Sequence, residues 1–197
     1  GGFVMAFNGG QITDWSTNKC IFNNALSKES INKAIQLARN TNTTIIAYSD
    51  TEILTETPAD EYISRLSRNN RMPICGVDDF LETALNMNPA PVKLLLSCSP
   101  NEIESKVLHF KKELAGFVDV FRSADTFIEL VPKGIDKGSS LAYLSSHLNI
   151  HPDQIIAFGD ESNDISMLRF VGMGVAVVNA TEPAKAAADL ITKSNNE

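Results

Sequence analysis

Cysteines and long apolar runs are scarce in this 197-residue sequence, and both scarcities exclude classes of protein. The three cysteines, Cys20, Cys75 and Cys98, are odd in number and do not have the spacing of a zinc site. They predict reduced thiols rather than a disulfide framework, as is usual in the cytoplasm. No apolar stretch approaches the length of a membrane span, and the first residues lack the basic region of a signal peptide. We therefore expect a soluble, cytoplasmic protein.

Basic residues are also few, and this bears on the partners of the chain. Lys and Arg number 17 against 24 Asp and Glu, so the formal net charge is -7. The acidic residues are spread along the chain rather than gathered in blocks. Such a surface repels nucleic acids and anionic membranes, so we expect neither as a partner. A small anionic substrate would need a local basic group.

The hydrophobic pattern changes once along the chain, which predicts two modules. From about residue 10 to 131, short strand-like runs alternate with amphipathic helices, and a hairpin turn is predicted at residues 123–125. We expect an α+β module with an antiparallel sheet. Its predicted strands are 11–15, 19–23, 43–49, 92–98, 116–122 and 126–131, and its predicted helices are 27–40, 58–70 and 100–116, the last two each opened by a proline near the first turn.

After the Pro/Gly/Lys stretch 132–138, the predicted hinge, helices and strands alternate strictly. The predicted helices are 139–150, 163–170 and 181–189, and the predicted strands are 154–158, 174–179 and 190–192. Strands this apolar, separated by helices, are typical of a parallel sheet covered on both faces. The second module is therefore predicted to be α/β.

Two aspartates follow the first of these parallel strands, in the segment GDESND. The strand ends at Phe158, so Asp160 lies at the sheet edge where ligands of open α/β sheets bind. Ser162 or Asn163 can cap the next helix, which places Asp164 in its first turn. Asp160 with help from Asp164 could bind Mg²⁺, which needs few carboxylates and several waters. Capping and the helix dipole alone also favour acids at this position, so both interpretations stay open.

A lysine begins the helix after the hinge, in the segment GIDKGSS. Asp136 is a good N-cap, which places Lys137 at the first helical position, where a cation costs about 0.3–1 kcal/mol. A bound anion would reverse that cost, because Lys137 and the free N–H groups of the helix start would converge on it. Lysine with metal-binding acids is the set that phosphoryl transfer needs. The alternative is an ordinary exposed lysine.

These motifs carry a resemblance to a known family. The segments PKGIDKGSSL, GDESNDISML and GVAVVNATEPAKAAADLITKSN, with FNGGQI near the start, resemble haloacid-dehalogenase-superfamily phosphatases of the Cof type. The resemblance implies an α/β fold with a partial Rossmann-like core and a large α+β cap. Residues 1–12 would be a core strand and core-to-cap linker, 13–131 the substrate-selecting cap, and 132–197 the C-terminal half of the core.

The resemblance also implies roles for four residues. Lys137 would contact the substrate phosphate and the nucleophile, and Asn163 would contact the phosphate. Asp160 would bind Mg²⁺, and Asp164 would be the second acid of the metal loop, so that Lys137, Asp160 and Asp164 are the expected catalytic residues. The implied activity is Mg²⁺-dependent hydrolysis of small phosphorylated metabolites, such as sugar phosphates. The alternatives are a non-catalytic phosphate- or metal-binding module and a phosphomutase.

One motif of the family has no counterpart. Such phosphatases attack phosphorus with the first aspartate of an Asp-x-Asp motif, and no Asp-x-Asp occurs in these 197 residues; Asp78 and Asp79 are merely adjacent. We therefore expect a fragment, truncated at the N-terminus and trimmed at the C-terminus. It should be inactive alone, whereas the intact protein would react through an aspartyl-phosphate. Its open sheet edge should recruit the missing core segment or a second copy.

Overall fold

The computed structural model describes residues 1–48 and 52–196, which divide between two units. The first unit combines residues 1–23 with residues from 135 onward, and the second comprises residues 24–134. Residues 13–23, which the sequence assigned to the cap, lie in the first unit because their strands continue the sheet that begins with the first strand of the chain. Ser49, the last residue of a predicted strand, and Glu197 lie outside the described residues.

An antiparallel sheet opens the first unit. Its strands are β1 (Phe3–Ala6), β2 (Gln11–Asp14) and β3 (Lys19–Asn23), in the order β1-β2-β3. The turn between β1 and β2 holds three successive residues with positive φ: Phe7 at 54°, Asn8 at 55° and Gly9 at 99°. A side chain on Gly9 would be doubly unfavourable, because its Cβ would lie 2.2 Å from the Ser140 hydroxyl oxygen.

The second unit is an α+β module built on one six-stranded sheet. Its elements are α1 (Lys28–Asn40), β4 (Thr44–Tyr48), β5 (Ile53–Thr55), α2 (Glu61–Asn70), β6 (Ile74–Gly76), α3 (Phe80–Asn86), β7 (Leu94–Ser97), α4 (Ile103–Glu113), β8 (Val118–Arg122) and β9 (Phe127–Pro132). The sheet order is β6-β5-β4-β7-β9-β8. All neighbours are antiparallel except β5 and β6, two short strands that the sequence analysis did not predict.

Local sequence signals explain the helices of this unit. Ser27 caps α1 by accepting a hydrogen bond from the Ser30 N–H at 3.0 Å, and Ile31 and Ile35 on this helix are buried. The sequence predicted a proline near the first turn of each of the next two long helices. Helix α2 begins after its N-cap Asp60, and α4 begins at Ile103, so both prolines precede the helices.

Alternating helices and strands complete the first unit. They are α5 (Lys137–Leu148), β10 (Ile156–Gly159), α6 (Ile165–Phe170), β11 (Met173–Val177), α7 (Glu182–Ala187) and β12 (Leu190–Thr192). The three strands are parallel, in the order β10-β11-β12, which confirms the α/β prediction. Leu168, Ala176 and Ala184 form the core under α6 and α7. The expected cover on both faces fails at β10, where Ile156 and Phe158 are 58% and 63% exposed.

Within the part of the chain that the structure describes, no helix combines the length and the hydropathy that a membrane span requires.

The buried Ser140 hydroxyl ties the strained β1–β2 turn to α5, because it donates a hydrogen bond to the Gly9 carbonyl at 2.7 Å. We predict that Ser140→Ala lowers the free energy of unfolding by about 1–3 kcal/mol, because the buried carbonyl loses its donor. Ser146→Ala, on the exposed side of the same helix, is the matched control and should change little. Urea denaturation measures both, and equal stability of the two variants would contradict the assigned role.

Candidate functional site

Three polar residues follow the carboxyl ends of the three parallel strands. Asp160 comes directly after β10, Asn179 two residues after β11 and Asn195 three residues after β12. The backbone of this edge is anchored from α7, because the Thr181 N–H donates to the Asp160 carbonyl at 2.9 Å. In an open parallel sheet, this is the edge at which ligands bind.

A cavity of about 540 Å³ opens at the same edge. Its polar lining comes from Asn8, Gly9, Lys137, Asp160, Asp164 and Asn195, and its apolar lining includes Phe3, Met5, Phe158 and Met167. Lys137, Asp160 and Asp164, which the sequence proposed as one site, therefore line a single cavity within the first unit.

Asp164 is the most highly connected side chain of the site. Its side chain is only 5% exposed, and its Oδ1 accepts a hydrogen bond from the Lys137 ammonium at 2.5 Å. Its Oδ2 accepts two backbone N–H groups, from Asp160 at 2.9 Å and Glu161 at 3.0 Å. One buried carboxylate thus fixes both the lysine and the loop that follows β10.

The protonation of Asp164 reflects two opposing effects. Burial by itself raises the pKa of a carboxyl group, because it disfavours the charged form. Hydrogen bonds from Lys137 and from the N–H groups of Glu161 and Asp160, with the charge of Lys137, outweigh burial and hold the pKa of Asp164 below its usual value. Asp164 is therefore ionised at neutral pH.

Lys137 lies at the first position of α5, and Asp136 is its N-cap, as predicted. Asp164 pairs with this lysine, so the protein itself supplies one anionic group at the helix start. An ammonium group has three N–H donors. Asp164 occupies one of them, and the Lys137 side chain, 31% exposed, lines the cavity, so further donors can serve a ligand.

Two glycines allow close packing around Lys137: Gly159 lies against Asp164, and Gly138 of α5 lies against Ser166 of α6. A Cβ on Gly159 would lie 2.6 Å from the Asp164 Cβ, and a Cβ on Gly138 would lie 2.6 Å from the backbone of Ser166. The Gly138 N–H donates to the Ser166 hydroxyl at 3.1 Å. Only glycine at these two positions lets Lys137 reach Asp164 without a shift of the backbone.

Asn163 contacts a residue that lines the cavity but does not line it itself. Its side chain is not part of the lining, but its Nδ2 donates to the Oδ1 of Asn8 at 2.8 Å, and Asn8 does line the cavity. Asn8 was not predicted as a site residue, because its FNGG segment could be explained by backbone conformation alone. The pairing of residues 155 positions apart leaves no local signal in the sequence.

The donor set suits a hard cation such as Mg²⁺, which prefers carboxylate and other oxygen ligands. Asp160 fits best, since it lines the cavity and only its Oδ2 accepts a hydrogen bond from a described residue, Asn195 at 3.3 Å. Both oxygens of Asp164 already accept hydrogen bonds, so it is the weaker candidate ligand. The described residues hold no group of three His, Cys, Asp or Glu arranged for a metal ion. A cation here would need substrate oxygens and water to complete its coordination.

Comparison with known proteins connects this geometry to a family. The haloacid dehalogenase-like hydrolase family model matches residues 1–197. The crystal structure of a haloacid dehalogenase-like hydrolase from Bacteroides thetaiotaomicron shares 37% identity and a TM-score of 0.87, over 100% of this chain and 73% of that chain. The structure of a subclass IIB sugar phosphatase, at 23% identity and a TM-score of 0.70, covers 97% of this chain and 70% of its own and shows the fold alone.

One relative is a phosphatase that is named by its substrate. The 5-amino-6-(5-phospho-D-ribitylamino)uracil phosphatase YitU of Bacillus subtilis is 32% identical over 136 residues, which are 61% of this chain and 50% of its own length. Three other curated relatives are matched over 36%, 18% and 28% of their lengths, so the chain spans less than half of each.

The fold and site thus define an α/β protein with a second unit whose sheet is mainly antiparallel. The chain belongs to the haloacid dehalogenase-like hydrolase family, and its structural neighbours include subclass IIB phosphatases. The resemblance drawn from the sequence motifs is confirmed.

The contacts of Asp164 predict a pH-dependent contribution to stability. At pH 7, Asp164→Asn should lower the free energy of unfolding by about 2–3 kcal/mol, because hydrogen bonds to a charged group are lost or weakened. Asp153→Asn, whose side chain is 82% exposed, is the control and should change little. Urea denaturation of the wild type and both variants across pH gives the measurement.

The sign of the pH effect follows from the lowered pKa of Asp164. A carboxyl group with a lower pKa in the folded state stabilises the fold above its unfolded pKa, about 3.9. That stability is lost as the pH falls through the folded pKa. The difference between wild type and Asp164→Asn should therefore be full at pH 7 and shrink below about pH 4. A difference that stays constant to pH 3 would contradict this account.

Proposed function

We propose that this chain supplies the phosphate- and metal-binding part of a Mg²⁺-dependent phosphatase that hydrolyses small phosphorylated metabolites. The observation that carries the proposal is the meeting of Lys137, Asp160 and Asp164 in one cavity at the carboxyl edge of a parallel sheet. The family match and the phosphatase relative support the reaction type.

Each residue has a part in this proposal. Lys137 binds a phosphoryl oxygen through the N–H groups that Asp164 leaves available. Asp160 binds Mg²⁺, which would neutralise the negative charge on the phosphoryl group. Asp164 holds Lys137 and the N–H groups of Asp160 and Glu161 in place. Asn163 donates a hydrogen bond to Asn8, which lines the cavity. Positioning and charge neutralisation are the main demands of phosphoryl transfer.

The nucleophile is proposed to come from outside these 197 residues, since they contain no Asp-x-Asp. In the intact protein an aspartate would attack phosphorus, and the resulting aspartyl-phosphate would be hydrolysed. The exposed Ile156 and Phe158 of β10 support a place for an added strand, because β10 ends the described parallel sheet. The occupant is the missing core segment or, in its absence, a second copy of the chain.

Residues 24–134 are proposed as the substrate-selecting cap, a role that the structural neighbours of subclass IIB support at the level of fold. The ester that the intact enzyme cleaves would be a sugar phosphate or a similarly small metabolite, in keeping with the ribitylamino-uracil phosphate named for the relative. Three free thiols, at Cys20, Cys75 and Cys98, support a cytoplasmic location.

Binding of orthovanadate or inorganic phosphate tests the role of Lys137 directly. In the presence of Mg²⁺, Lys137→Ala should weaken phosphate binding by about 10- to 100-fold, the equivalent of one hydrogen bond from a charged donor. Asp160→Asn should abolish the Mg²⁺ dependence of that binding. Calorimetric titration gives both values.

The matched control is Lys19→Ala, which removes an exposed lysine of β3 in the same unit and should leave phosphate affinity unchanged. Equal losses for Lys19→Ala and Lys137→Ala would indicate a general charge effect. Phosphate binding that is indifferent to Lys137 and Asp160 would overturn the proposed site.

A further inference from the structure

Two asparagines at the sheet edge make a directed chain of hydrogen bonds that ends on Asp160. The Asn195 backbone N–H donates to the Asn179 Oδ1 at 3.4 Å, and the Asn179 Nδ2 donates to the Asn195 Oδ1 at 2.8 Å. The Asn195 Nδ2 in turn donates to the Asp160 Oδ2 at 3.3 Å. The last donor of the series, the Asn195 Nδ2, is the one that meets the carboxylate.

The orientation of the amides follows from chemistry as well as from geometry. An ionised carboxylate only accepts hydrogen bonds, so Asn195 must present its NH₂ group to Asp160. Its carbonyl oxygen then faces away, where it accepts the NH₂ group of Asn179. Asn179 is held by the backbone N–H of Asn195, which fixes its own amide in the complementary orientation. The two side chains therefore allow one arrangement only.

This arrangement makes the two carboxylate oxygens of Asp160 different from each other. Oδ2 accepts from Asn195, whereas Oδ1 has no hydrogen-bond partner among residues 1–48 and 52–196. Asp160 and Asn195 line the same cavity. A carboxylate that is fixed through one oxygen presents the other oxygen in a defined direction. Carboxylates that bind metals are usually held by hydrogen bonds in this way.

We infer that Asn195, braced by Asn179, is a positioning residue that orients the Asp160 carboxylate for a divalent cation. The inference rests on the proposed function, because Asp160 must be the residue that binds the cation. It adds Asn179 and Asn195, which follow β11 and β12, to the residues that hold Asp160 in place.

Mn²⁺ binding to the full 197-residue chain in the presence of inorganic phosphate, followed by electron paramagnetic resonance of the free ion, tests this role without any need for turnover. Asn195→Ala and Asn179→Ala should each weaken Mn²⁺ binding by about tenfold, the lower end of the effect of removing a metal ligand's hydrogen-bond partner. Because the two amides act in series, the double variant should bind no more weakly than the weaker single variant. Asn196→Ala, an exposed neighbour, is the control and should bind as the wild type does.

Asp160→Asn separates failure of this inference from failure of the proposed function. If Asp160→Asn abolishes Mn²⁺ binding while Asn195→Ala leaves it unchanged or stronger, the positioning role is wrong and the metal site stands. If the losses of Mn²⁺ affinity in the two single variants add up in the double variant, the two amides do not act in series and the inference is likewise wrong. If the wild type does not bind Mn²⁺, or Asp160→Asn binds as well as the wild type, the proposed metal site itself is wrong.

Discussion

The hydrogen bonds and the ion pair of the buried Asp164 carboxylate hold the rest of the site together. The carboxylate joins three things that the chain brings from different places: the ammonium of Lys137 at the start of α5, and the backbone N–H groups of Asp160 and Glu161 after β10. A buried carboxylate without partners would be costly, and a lysine at a helix start is unfavourable on its own. Each group removes the penalty of the other. The resulting pair is a rigid, nearly neutral base for the cavity, over which the charges of a phosphoryl group and a cation can be balanced.

The parallel sheet explains how the remaining groups assemble. Its carboxyl edge places Asp160, Asn179 and Asn195 side by side, although they are 19 and 16 positions apart in the sequence. Asp160 belongs to both sets of contacts, through its backbone N–H to Asp164 and through its side chain to Asn195. The site therefore separates two tasks on neighbouring residues. Asp164 holds the loop and the lysine in place, and Asp160 keeps an oxygen that we propose for a ligand.

Much of this architecture could be predicted from local sequence. Asp136 as an N-cap placed Lys137 correctly, and the apolar strands with their intervening helices gave the parallel sheet, because capping and periodicity are properties of neighbouring residues. The pairing of Lys137 with Asp164 could not be found in this way, since it joins residues 27 positions apart and converts an apparent electrostatic defect into a stabilising contact. The short strands β5 and β6 were missed because three residues show too little periodicity. Asn179 and Asn195 could have been found by applying the sheet-edge rule to every strand rather than to the first.

We propose that these residues bind and orient a phosphoryl group but do not include its nucleophile. The most direct test is the hydrolysis of p-nitrophenyl phosphate by the 197-residue chain with Mg²⁺, beside Asp160→Asn and a protein extended by an upstream Asp-x-Asp segment. Positioning lowers the barrier only for a nucleophile that is present, so the chain alone should hydrolyse at the background rate, while the extended protein turns over and loses its activity with Asp160→Asn. Hydrolysis by the chain alone at a rate comparable to that of the extended protein, abolished by Asp160→Asn, would contradict the account and place a nucleophile within these residues.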